Sequence, residues 1–159
     1  MRRKIMENLK TWSLEIKNRM PLLLYGARQV GKTYAMQELG ANGFKNTVYV
    51  NFEADRTIGS FFESNIHPET VIKVLEKYFH TTVIPDETLI IFDEIQMCER
   101  ALTSLKYFAE EAPEYHVIAA GSLLGVAVNR ELQSFPVGKV RMLTMYPMDF
   151  EEYLWARGK

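Results

Sequence analysis

Apolar and polar positions alternate along this chain in two different rhythms, and the switches between them mark its elements. Residues 21–25 (PLLLY) form an apolar run too short for a helix, so a buried strand is expected there. Residues 47–52 (TVYVNF) alternate and are β-branched, which predicts a second strand. Residues 88–92 (TLIIF) are continuously apolar and predict a third strand, buried on both faces. Residues 115–120 (YHVIAA) and 140–145 (VRMLTM) predict a fourth and a fifth, the last bounded by Pro147. Between them the period lengthens. Residues 32–39 read as a helix stopped by Gly40 and Gly43. Val71, Ile72, Leu75, Tyr78 and Phe79 have helical spacing within residues 68–80, as do Leu102, Leu105 and Phe108 within residues 101–109. The first 19 residues are polar with Met6, Leu9, Trp12, Leu14 and Ile16 set among them, the pattern of an amphipathic helix.

Strands that alternate with helices are joined by crossovers, so the expected fold is α/β, a mostly parallel five-stranded sheet with helices on both faces. Ligands of such sheets bind beyond the carboxyl ends of the strands. The organisation expected is an N-terminal helix over residues 1–19, a core over 20–146, and a segment from 147 to 159 that begins a further, truncated unit. Within that segment PMDFEEYLW opens a helix, with Asp149 as its cap.

Composition narrows the picture without directing it. The 159 residues carry 19 Lys and Arg against 20 Asp and Glu, so the net charge of −1 makes no case for an obligatory nucleic-acid or membrane partner. Any nucleic-acid role would run through Arg2, Arg3 and Lys4. Cys98 is the single cysteine and cannot staple the fold, which with the lack of a signal-peptide apolar region suggests a cytoplasmic protein. His67, His80 and His116 are scattered without zinc spacing. His116 reads as a core or rim residue and Cys98 as a structural one.

The chemistry lies at strand ends. Gly26-Ala27-Arg28-Gln29-Val30-Gly31-Lys32-Thr33 matches G-x-x-x-x-G-K-[ST], a string that recurs by chance in roughly one chain of this length in 200. It follows a strand and opens a helix, the context its mechanism requires. Its backbone N–H groups and the helix dipole would cradle phosphates, with Tyr34 alongside. Lys32 would reach the β- and γ-phosphates, and the Thr33 hydroxyl would ligate Mg²⁺. Leu89-Ile90-Ile91-Phe92-Asp93-Glu94 is an apolar strand ending in two acids. Asp93 would hold the Mg²⁺ shell and Glu94 would polarise an attacking water. The Asp-x-x-Gly and Asn/Thr-Lys-x-Asp strings of guanine-nucleotide switches are missing from the sequence, so ATP is expected over GTP. In the P-loop class with an extra central strand, the fourth strand lies between the P-loop strand and the acid-pair strand. That makes Ser122, at its tip, a candidate to orient the water or sense the γ-phosphate. Arg28, Arg130, Lys139 and Arg141 are candidates for neutralising transition-state charge. Glu53, closing the second strand, could touch metal-bound water.

The strings LLLYGARQVGKT, VNFE, LIIFDEIQ, VIAAGS and YPMDFEEYL occur in this order. Over residues 20–154 the chain resembles the prokaryotic AAA+-like ATPases that carry an uncharacterised C-terminal domain after the ATPase core. The resemblance implies Mg²⁺-dependent ATP hydrolysis with Lys32, Thr33, Asp93, Glu94 and Ser122 matching the family pattern. It also implies a C-terminal domain of the parent protein as partner, and a homo-oligomer is compatible with it. The family commonly has Gly-Arg where this chain has Gly138-Lys139, and lysine lacks arginine's bidentate fork. The alternatives are a small-molecule kinase of the P-loop class and a non-hydrolysing, nucleotide-gated interaction module.

Overall fold

The computed structural model describes residues 2–17, 19–122, 136 and 138–159. The described elements are α1 (Ile5–Ser13), β1 (Leu22–Tyr25), α2 (Lys32–Gly43), β2 (Asn46–Asn51), α3 (Arg56–Ser60), α4 (Pro68–Phe79), β3 (Thr88–Asp93), a 3₁₀ turn (Ile95–Met97), α5 (Glu99–Glu111), β4 (His116–Gly121), β5 (Arg141–Thr144) and α6 (Phe150–Ala156). The strands form one five-stranded sheet in the order β2-β3-β4-β1-β5, every pairing parallel. β4 is thus inserted between β1 and β3, the arrangement of the P-loop class with an extra central strand.

Side chains alternate across the sheet, and each set finds its own layer of helices. Leu22, Leu24, Leu89, Ile91, Ile118 and Ala120 pack with Leu9 and Trp12 of α1 and Ala35, Met36 and Leu39 of α2. Leu23, Ile90, Phe92, Val117 and Ala119 pack with Ile58 of α3, Val71 and Leu75 of α4, and Leu105 and Phe108 of α5. A strand covered on both faces has no polar side to show, which is why TLIIF reads as an unbroken apolar run.

Several elements differ from their sequence expectation. α2 continues through Gly40 to Gly43. A Cβ on Gly40 would lie 2.4 Å from the Thr47 hydroxyl, so this glycine permits close approach of helix and strand and does not stop the helix. Leu14 and Ile16 lie beyond the end of α1 and are exposed, so the apolar stripe of the N-terminal helix is shorter than the spacing suggests. Asp55 caps α3 by accepting from the Ile58 N–H at 3.2 Å, a short helix that periodicity does not reveal. α5 begins at Glu99 and runs to Glu111, longer than its apolar spacing implied. Among the described residues no helix is long and apolar enough to cross a membrane.

Candidate functional site

The loop between β1 and α2 is built by positions that only certain residues can fill. Gly31 has φ +102° and Gln29 φ +62°, and the chain turns through them into α2. A Cβ on Gly26 would lie 2.2 Å from the Met145 carbonyl oxygen, inside van der Waals contact with backbone. Lys32 is the first residue of α2, yet its side chain folds back over the loop. Its Nζ donates to the carbonyls of Gly26 at 2.9 Å and Ala27 at 2.6 Å. The residue is only 7% exposed, and burial lowers its pKa, with Glu94 and then Asp93 pulling it partly back.

The second motif meets the first directly. Thr33 Oγ1 donates to Asp93 Oδ2 at 2.5 Å, across 60 residues of sequence. The same oxygen accepts from the Tyr49 hydroxyl at 2.6 Å, while Asp93 Oδ1 accepts from the Glu94 N–H at 2.9 Å. Burial first, and the Asp93 carboxylate second, push the Tyr49 hydroxyl up to about 12, so it stays a donor. Glu94 adopts the left-handed region at φ 52°, ψ 45°, and its carboxylate accepts from Gln96 Nε2 at 2.6 Å. Gln96 Oε1 is buried and has no hydrogen-bond partner among the described residues. Tyr49 and Gln96 went unnoticed in the sequence. Gln96 lies within the LIIFDEIQ string, and Tyr49 packs against the core on the α1 and α2 side of the sheet, but neither spacing announces a polar role.

A cavity of about 330 Å³ is lined by Arg28, Gln29, Gly31, Lys32, Thr33, Tyr34 and Glu94. A larger one of about 1200 Å³ runs along α1 toward the amino ends of the strands and includes no residue of the 26–33 loop. We place the candidate site at the smaller one, because the loop, the lysine and the acid pair converge there and the chemistry of the larger lining is mixed in sign. Val30 does not line it: its side chain is in the core. Gly26 and Ala27 contribute the carbonyls that hold Lys32. Ser122 follows the tip of β4, and its Oγ is buried with no hydrogen-bond partner among the described residues.

Other candidates lie elsewhere. Arg141 starts β5 at the amino edge of the sheet, paired with Leu22, and forms an ion pair with Glu15. Lys139 reaches Glu110 at 3.6 Å. Lys139, just before the fifth strand, and Arg141, at its start, thus lie at the end of the sheet away from the loop, which corrects the expectation that either serves the loop of its own chain. Arg130 lies outside the described residues. Glu53 is exposed, in the turn after β2. His116 is buried, its Nε2 donating to the Ser13 carbonyl at 2.8 Å, and Cys98 is half-buried with its thiol pKa raised by burial. The N-terminal basic cluster is engaged internally: Arg3 is buried, Arg2 stacks over Trp155 at 3.9 Å, and Lys4 pairs with Asp149 and Glu151.

Among the described residues no cluster of three His, Cys, Asp or Glu side chains could hold a metal ion. A cation held by Thr33 and Asp93 would take its remaining ligands from substrate oxygens and water, which suits Mg²⁺. The fit is sound on the donor side, since a hydroxyl and a carboxylate oxygen, both hard, converge at the mouth of the loop.

A parallel sheet with an inserted central strand, closed by a phosphate-type loop beside an acid pair, defines a P-loop NTPase fold. The chain belongs to the AAA domain family, which matches residues 18–154. No curated protein matches it. The structure is similar to the Walker-type ATPase PABY2304 of Pyrococcus abyssi, with TM-score 0.61 and 17% identity over 99% of this chain and 57% of that one. It is similar to the Orc1 protein of Aeropyrum pernix in complex with DNA, with TM-score 0.57 and 18% identity over 96% of this chain and 48% of that one. Cdc6p of Pyrobaculum aerophilum gives TM-score 0.58 at 12% identity, over 97% and 48%. The chain spans about half the length of these structures, and at such identities the likeness is one of fold.

Proposed function

We propose that this AAA domain binds ATP with Mg²⁺ at the 26–33 loop and hydrolyses it to drive a conformational change in an appended domain or partner. The observation that carries the reading is the 2.5 Å hydrogen bond from Thr33 to Asp93, which sets a hydroxyl and a carboxylate of two distant motifs side by side at the mouth of the loop. In this reading Lys32 exchanges the Gly26 and Ala27 carbonyls for β- and γ-phosphate oxygens. Thr33 and Asp93 hold Mg²⁺, which supplies charge neutralisation on the phosphates when bound. Tyr49 keeps the Asp93 carboxylate oriented. Glu94 accepts a proton from the attacking water, and Gln96 holds its carboxylate at rest. The Ser122 hydroxyl, buried and without a hydrogen-bond partner among the described residues, orients the water or the γ-phosphate.

Among the described residues Arg28 alone brings a guanidinium to the cavity. A further cation from a second copy or another partner would add to the charge neutralisation that Arg28 and Lys32 provide. Titration with ATP and Mg²⁺, with phosphate release followed in the same samples, tests the reading. Lys32→Ala is expected to weaken binding by at least about 100-fold, since a charged, phosphate-facing donor is lost. Glu94→Gln is expected to bind normally and to lose about 10²–10³ in turnover. Unimpaired turnover by Glu94→Gln would sink the mechanism.

A further inference from the structure

We propose that Arg3 is a positioning residue for the phosphate loop, and that through Glu152 it ties the loop's conformation to α6. Its nucleotide-dependent part rests on the ATP-binding reading above; its structural part does not.

Arg3 is 7% exposed, and its guanidinium touches three separate segments. Nη1 donates to the Val30 carbonyl at 2.7 Å, in the loop. Nη2 donates to the Tyr146 carbonyl at 2.7 Å, just past β5. Nε donates to Glu152 Oε2 at 3.0 Å, in α6. The planar fork of arginine can serve three acceptors at once, which a lysine ammonium at the end of a flexible stem does not reproduce.

The contact with Val30 has a consequence for phosphate binding. The Val30–Gly31 peptide is trans, so its carbonyl and the Gly31 N–H point in opposite directions. Arg3 holds the carbonyl on the outer side of the loop. The Gly31 N–H, on the opposite side of that peptide, is thereby set pointing away from Arg3, and Gly31 lines the cavity. The same guanidinium packs against Gly31, where a Cβ would lie 3.1 Å from Nη1. Gly31 also starts α2, its carbonyl accepting from the Ala35 N–H at 3.0 Å. One buried cation thus sets the peptide at the junction of loop and helix.

Glu152 makes the connection two-ended. It is buried, and its Oε2 also accepts from the Lys4 N–H at 2.8 Å. Its Oε1 accepts from the Asp149 N–H at 3.1 Å, and Asp149 Oδ1 accepts from the Glu152 N–H at 2.8 Å, closing the capping box that starts α6. A displacement of α6 moves Glu152, and with it the group that holds the Val30 carbonyl. The PMDFEE string therefore serves as the anchor of the loop from behind.

Hydrogen–deuterium exchange on the full chain tests this, comparing wild type, Arg3→Lys and Glu152→Gln with and without Mg²⁺-ATP. Without nucleotide, both variants should exchange about tenfold faster at residues 31–33, although Glu152 touches none of them, while β3 is unchanged. With Mg²⁺-ATP, α6 should be protected in the wild type and not in Arg3→Lys. Unchanged loop exchange in both variants, or a rise shared equally by β3, would overturn the proposal, the second by reducing the pair to global stability. If either variant fails to fold, the other carries the comparison. Wild-type loop amides indifferent to ATP would instead remove the ATP-binding reading and leave the nucleotide-free arm to decide this one.

Discussion

Lys32 is a cation held where little water reaches it, and its pKa is lowered by that burial. The free site therefore releases the lysine proton at a lower pH than an exposed lysine would. Bound phosphates favour the ammonium and raise its pKa again. In the proposed reading ATP binding takes up protons wherever the free lysine is partly deprotonated, and affinity falls as pH rises through the lowered pKa. Calorimetry at a series of alkaline pH values, in two buffers of different ionisation enthalpy, should detect that uptake. A dissociation constant independent of pH across the alkaline range would count against it. Tyr49 is the second residue with an unusual proton, held on by burial and by Asp93. Tyr49→Phe removes one of two hydroxyl donors to Asp93 Oδ2, and should cost about 1 kcal/mol in urea denaturation while the fold is retained.

At the scale of elements, the glycines separate into those that a neighbour forbids to change and those that stand in open space. Gly26 leaves β1 against the Met145 backbone, where the Met145 N–H extends the ladder by donating to the Tyr25 carbonyl at 2.7 Å. Gly26→Ala forces β1 and the exit of β5 apart and should destabilise by about 2–3 kcal/mol. Gly43, at the end of α2, has nothing within 4 Å of an added Cβ. Gly43→Ala should be neutral or stabilising by up to about 1 kcal/mol. Paired thermal melts check both, and equal effects would refute the distinction. Helix and strand cores were legible in the sequence because periodicity reports which faces are buried. Gly40 was misread as a stop because the sequence alone does not show Thr47 lying against it.

For the molecule as a whole, the amino edge of the sheet is sealed by His116. Its ring meets Trp12 and Phe44 edge-on, Nε2 donates to Ser13, and Asp86 lies 3.8 Å from Nδ1 with Arg19 close by. Burial lowers its pKa, first by desolvation. The unfolded chain then binds the proton more readily, so the contribution of neutral His116 to stability is complete above the unfolded histidine pKa and is lost as pH falls below it. The slope from this one group cannot exceed about 1.4 kcal/mol per pH unit. Urea unfolding of wild type and His116→Gln between about pH 7.5 and 5 should show a shallower loss in the variant. Identical slopes would assign the acid sensitivity to other groups.

What the sequence determined by itself is whatever depends on near neighbours: strand and helix cores, the G-x-x-x-x-G-K-T turn, an acid pair at a strand tip, and the α/β class that follows from their alternation. What only the tertiary structure decided is which polar groups face one another. Tyr49 and Asp93 are 44 residues apart, Thr33 and Asp93 are 60, and Arg3 and Glu152 are 149. Nor could spacing show that Arg141 faces the far edge, since that follows from the parallel register of β5 on β1. Periodicity records burial along one element, whereas a buried hydrogen bond is set by how separate elements dock, and that information resides in no single stretch of the chain.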